Sequence, residues 1–155
     1  MTAIDQAATV PEVDRNLAFL TYALLFFSIF FAGVPALIAV AIAYARRKEA
    51  DPFVRGHHSF QIWIFWVGFT LALFAGAAGL SAVMMAAGEA IRQASAENWQ
   101  GWRALRVADI VGPATLTFGA LFVVLAVCAA VWLATTSIYG FVRLASLRPM
   151  RQTRR

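Results

Sequence analysis

Charge is scarce in this sequence. Charged residues make up 14% of it, against about 25% in an ordinary soluble domain. Three stretches, 17–45, 59–88 and 110–142, contain no charged residue at all. A chain of 155 residues is one domain by length, and a water-soluble domain of that size keeps too much surface exposed to hide so little polarity. Cysteine is nearly missing. The single copy, Cys128, lies inside an apolar run, so no intrachain disulfide and no thiol-based metal site can form, and it reads as a small hydrophobe. Histidine occurs only at positions 57 and 58. Neighbouring side chains on a helix diverge by about 100° and cannot clamp one haem iron from both sides. Met84 and Met85 lie about 40 Å further along the same helix and cannot complete a metal site with them. The sequence also lacks a glycine-rich phosphate loop, a Ser/His/Asp set at one depth and paired carboxylates within its apolar runs. Catalysis is left without a candidate residue, and the expectation is a non-enzyme without cofactor or metal.

What is present is apolar: 61% of residues are hydrophobic, against about 45–50% in soluble domains. The expected fold is an all-α integral membrane protein. Three transmembrane helices over about 17–45, 59–88 and 110–142 form a domain spanning 17–145, between a polar tail at 1–16 and a basic tail at 146–155. The first run would be about 43 Å long as one helix, against a hydrocarbon core of about 30 Å, so it crosses once and tilts or kinks. Gly33-Val34-Pro35 is the expected kink, with Tyr22 and Tyr44 as interfacial aromatics toward the ends. Asp51-Pro52 reads as the N-cap and first position of the second helix. Gly112-Pro113 marks the first turn of the third, near whose end Thr135, Thr136 and Ser137 can bond back to their own helix. In 89–109, Ile91, Ala94, Trp102 and Leu105 share one arc, with Trp99 at its edge. Glu89, Gln93, Glu97, Gln100 and Arg103 lie opposite, as in a helix lying in the interface. The N-terminus carries Asp5, Glu12 and Asp14 against Arg15 and is not expected to be a secretory signal.

The net charge of +5 is unevenly placed. With three spans, the loop at 46–58 and the C-terminal tail hold nine Lys and Arg on one side, while the N-terminal tail and second loop hold four on the other. The richer side is cytoplasmic, which puts the N-terminus outside and the C-terminus in the cytoplasm. Arg46, Arg47, Lys48, Arg148, Arg151, Arg154 and Arg155 flank apolar runs instead of striping a soluble face. Their expected partner is therefore an anionic lipid headgroup and not nucleic acid.

One polar group stands out: Arg55, His57, His58 and Gln61, where the basic loop meets the second apolar run. His57 and Gln61 are four apart and share a helix face. Two readings are open. The group contacts a partner, conducts protons or ligates a cofactor, as intramembrane polar groups often do; or it sits at headgroup depth, satisfied by water. Gly68, Ala72 and Gly76 recur at spacing four, either a tight helix seam within the chain or between copies, or ordinary membrane composition.

The segments Ala41-Ile42-Ala43-Tyr44-Ala45-Arg46, Asp51-Pro52-Phe53-Val54-Arg55-Gly56-His57-His58-Ser59-Phe60-Gln61 and Phe65-Trp66-Val67-Gly68 resemble a family of small uncharacterised bacterial multi-pass membrane proteins. His57, Phe60, Gln61, Phe65, Trp66 and Gly68 match its His-x-x-Phe-Gln and Phe-Trp-(Ile/Val)-Gly pattern. Tyr139-Gly140-Phe141-Val142-Arg143-Leu144 is similar to its closing segment, and the likeness covers roughly 40–145. That family is distantly similar to a membrane subunit of the chloroplast inner-envelope protein-import machinery. Many members carry a basic residue where this chain has Trp63 and a hydroxyl residue where it has Ile64. The resemblance implies a bacterial inner (plasma) membrane and no transferable enzymatic activity. The expected role is a polytopic, non-catalytic scaffold, assembly or accessory subunit, alone, as a homo-oligomer or in a larger complex. The alternative is a protomer of an oligomeric channel, transporter or translocation complex.

Overall fold

The structure is a computed structural model that describes residues 12–96 and 110–150. These residues are all-α and form four helices: α1 (Glu12–Phe27), α2 (Val34–Arg46), α3 (Pro52–Ala96) and α4 (Pro113–Ala145). Two of them, α3 and α4, are long and apolar enough to cross a membrane.

Residues 17–45 do not form the single kinked rod expected of them. Ala32 and Gly33 take left-handed backbone angles, φ 49° and 81°, and a right-handed helix cannot run through two such residues. Gly33 reaches that region without steric cost, having no Cβ. Pro35 then falls in the first turn of α2, where its missing N–H leaves no bond broken. The apparent kink is a helix stop followed at once by a helix start. The chain doubles back, so that Asp14 at the start of α1 meets Arg46 at the end of α2, Oδ1 to Nη2 2.6 Å. Ala36, Ala39 and Ala43 form the buried face of α2 and Ala18, Thr21, Tyr22 and Leu25 that of α1. The small side chains on α2 let the two helices approach closely. At about 24 Å and 20 Å, neither helix is long enough to cross alone.

The turn between them bonds most of its backbone amides internally. Ser28 N–H donates to Leu24 O and Gly33 N–H to Ser28 O, both at 3.0 Å, and Ser28 Oγ donates to Leu25 O at 2.6 Å. Its outer surface is aromatic: Phe27, Phe30 and Phe31 are 51%, 68% and 61% exposed.

Asp51 caps α3 as expected, its Oδ1 accepting from Phe53 N–H at 2.9 Å. The helix then runs unbroken to Ala96. Residues 89–96 are thus its last two turns and not part of a separate interfacial helix; Trp99, Trp102 and Leu105 lie outside the described residues. Pro113 opens α4. Thr135 and Thr136 bond back to Val131 O and Trp132 O, whereas Ser137 is buried without such a bond.

The chain divides into two compact regions, 1–69 with 130–155, and 70–129. In the first, α1, α2, the start of α3 and the end of α4 enclose a core containing Ala18, Tyr22, Ala39, Val54, Ile64 and Leu144. Gly140 is required there, because a Cβ on it would fall on the Tyr22 ring. Phe19 packs on Phe141 with ring centroids 4.9 Å apart. In the second region, Ala75, Ala78, Ala94 and Ala129 are buried. A Cβ on Gly79 would meet Phe122 Cδ2 at 3.1 Å, so the two helices approach closely there as well. Leu73, Phe74, Leu80, Val83 and Met84 remain exposed.

Candidate functional site

The polar residues at the start of α3 lie inside the first region. His57 and His58 are fully buried and Gln61 is 1% exposed, so water does not reach these side chains. Each faces a different partner, because consecutive helical residues diverge by about 100°. His57 Nδ1 lies 3.1 Å from the Tyr22 hydroxyl on α1, with its ring against Phe53 at 5.2 Å between centroids. His58 Nδ1 lies 2.9 Å from Gln61 Oε1, one turn on. A carbonyl oxygen only accepts, so His58 carries its proton on Nδ1 in this bond. The Gln61 amide in turn donates to Ala18 O on α1 at 2.9 Å. Two side chains of α3 thereby grip α1 at points one turn apart, on Ala18 and Tyr22.

The hairpin's ion pair extends this cluster. Asp14 is 7% exposed, and the Asp14–Arg46 pair lies within electrostatic reach of His58. The hydrogen bond that Arg46 donates to Asp14 holds its guanidinium above its ordinary pKa. Behind His57 the chain closes with a left-handed turn at Leu147, φ 53°. Arg148 N–H bonds to Arg143 O at 2.9 Å, Arg143 Nη2 donates to Pro149 O at 2.6 Å, and Met150 is buried beside Gly56.

Arg55 does not join the group. It is exposed, and its Nη2 donates to Ala50 O at 3.2 Å, bracing the turn between α2 and α3. Trp63 and Ile64 tie α3 to α4. Trp63 stacks on Phe60 and meets Trp132 edge-on at 4.8 Å, while Trp132 Nε1 donates to Ile64 O at 3.2 Å. The Gly68, Ala72, Gly76 stripe splits. Gly68 faces Leu133, whose Cδ2 would be 3.0 Å from an added Cβ. Ala72 and Gly76 are exposed, and Gly76 has nothing within 4 Å of that position. Among the described residues no group of three or more His, Cys, Asp or Glu comes together to hold a metal.

Of the basic residues expected at headgroups, Arg46 is paired with Asp14 and Glu49, Arg47, Lys48 and Arg148 are exposed, and Arg151, Arg154 and Arg155 lie outside the described residues. Sequence reasoning missed Tyr22, expected at an interface yet 1% exposed, and Gly140. The available signal for Tyr22 was its hydroxyl, which needs a partner when it lies deep in an apolar helix. No protein-family model, curated protein or solved structure matches the chain.

Proposed function

We propose that this chain is an integral membrane protein that crosses the bilayer twice, through α3 and α4. In this reading α1 and α2 enter as a re-entrant hairpin from the side bearing Arg46 to Arg55. The observation that carries it is the doubling back at Ala32 and Gly33, which returns Arg46 to Asp14. Non-helical backbone is tolerated at membrane depth when its polar groups are satisfied and it is packed on protein. The turn at 28–33 bonds five of its six amides within the hairpin and presents Phe27, Phe30 and Phe31 outward, as an apolar tip in lipid would.

This topology revises the expected orientation. The N-terminus lies on the same side as residues 46–55 and the C-terminal tail. Those segments together hold ten Lys and Arg, against three in residues 92–106. That imbalance is larger than three spans allow and supports a cytoplasmic position for both termini. The setting is a bacterial inner membrane, following the resemblance over 40–145.

The role we infer is a non-catalytic scaffold, assembly or accessory subunit. His57, His58 and Gln61 are bonded to other parts of the same chain, which supports a structural lock over a reactive centre. The exposed Ala72 and Gly76 supply a close-approach surface for a second copy or a partner helix. Labelling with an impermeant thiol reagent tests the topology in a Cys128→Ala background. Glu49→Cys and Ala3→Cys are expected to react from the cytoplasmic side, and Ser95→Cys from the opposite side. Labelling of Ala3→Cys from the Ser95 side would reinstate three crossings. Affinity capture from native membranes, comparing wild type with Gly76→Leu, tests the role, and an unchanged partner set counts against that surface.

A further inference from the structure

Between the end of α2 and the start of α3 lies an open cleft of about 560 Å³ lined by Tyr44, Arg47, Lys48 and Arg55. Three of these four residues are cations, and none is acidic. The nearest carboxylates in sequence are engaged elsewhere: Glu49 Oε2 takes Arg46 at 3.3 Å, and Asp51 Oδ1 takes the Phe53 amide at 2.9 Å. Among the described residues no carboxylate pairs with Arg47, Lys48 or Arg55. Three like charges around one cleft repel unless an anion lies among them. The Tyr44 hydroxyl accepts from Trp66 Nε1 at 3.0 Å, which leaves its own proton to donate.

The surroundings indicate what kind of anion fits. Tyr44 and Trp66 are 48% and 50% exposed, and along the same helix faces Leu37 and Phe69 are 55% and 44% exposed. A polar, cationic mouth thus continues into apolar walls on both α2 and α3. A free phosphate would use only the mouth, whereas an amphiphile would use both.

We propose that this cleft is a specific site for the phosphodiester headgroup of an anionic phospholipid. Arg47, Lys48 and Arg55 surround the phosphate, the Tyr44 hydroxyl donates to it, and the acyl chains run along Leu37 and Phe69. The proposal rests on the membrane reading above and sharpens it. Arg46, already paired with Asp14, is not part of the site, while Arg55 is.

The test is native mass spectrometry of the full chain released from vesicles of phosphatidylcholine mixed with phosphatidylglycerol. Wild type is expected to retain one phosphatidylglycerol in preference to phosphatidylcholine. Arg47→Gln/Lys48→Gln, both at exposed positions, is expected to lose about thirty-fold of that preference while keeping the helical circular dichroism of wild type. Arg151→Gln/Arg154→Gln/Arg155→Gln is expected to keep the bound lipid. Equal retention of both lipids by wild type, or a bound lipid that survives Arg47→Gln/Lys48→Gln, overturns the proposal. So does inorganic phosphate displacing the lipid at equal concentration, which would make the ligand a soluble anion. A chain that never enters the vesicles overturns the membrane reading instead, and the site with it.

Discussion

Residues 52–69 and residues 70–96 belong to one uninterrupted helix but have contrasting surroundings. The first stretch buries Val54, His57, His58, Gln61 and Ile64 almost completely, while the second buries Ala75, Ala78 and Ala94 and leaves most of its large side chains exposed. The first is held by directional contacts to two other segments, α1 through Tyr22 and Ala18 and α4 through Trp132. The second has small residues set against one neighbour, as at Gly79 and Phe122. The contrast teaches where specificity is needed. Two helices in lipid associate by close packing alone, with no water to drive them together. In the proposed topology, a hairpin too short to cross is fixed to the crossing helices by bonds that lipid cannot replace. Its polar side chains therefore concentrate at the docked end.

Substitutions can break or sharpen this contrast. The largest effect is expected at Gly140, where any side chain collides with the Tyr22 ring. Gly140→Leu should destabilise the first region by about 3 kcal/mol or more, read as a lowered midpoint in detergent-titrated unfolding. A midpoint unchanged from wild type would mean that α1 is not seated against α4 there. Next is Gln61→Leu, which removes the bond to Ala18 O and leaves His58 Nδ1 buried without its acceptor. A loss of about 2–3 kcal/mol is expected, with faster proteolysis at the 28–33 turn as the hairpin loosens. A smaller loss, about 1–2 kcal/mol, is expected for Tyr22→Phe. A double-mutant cycle with His57→Phe should recover most of it if the two groups act as a pair, and strictly additive losses would refute the pairing. Asp14→Asn weakens a partly exposed ion pair and should cost about 1 kcal/mol or less, falling further at high salt. At the other extreme, Gly76→Ala meets open space and should be neutral or stabilise α3 by up to about 1 kcal/mol. A clear loss at Gly76 would show that its face is occupied and would sharpen the oligomer question.

The open aromatic tip and the closed polar core also explain which readings transferred from the sequence. Asp51 caps α3 and Pro113 opens α4 as the local pattern indicates, because caps and first-turn prolines act through neighbouring backbone alone. The last turns of α3 were not legible as a continuation of it because their amphipathic arc is equally compatible with a separate helix. The burial of Tyr22 and the two histidines was not legible, because it depends on α1 folding back against the start of α3, a contact between distant segments.

Composition and charge placement alone settle that this is an all-α chain with apolar helices of membrane-crossing length, since lipid-like surface and helix ends are written locally. The fate of residues 17–45 could be decided only in three dimensions. A glycine and a proline two residues apart are compatible with a bent rod or with a hairpin. The choice rests on whether Ala36, Ala39 and Ala43 find a matching face, and whether Asp14 and Gln61 find Arg46 and the Ala18 carbonyl. Those contacts join residues more than thirty positions apart, and no periodicity within a single helix encodes them.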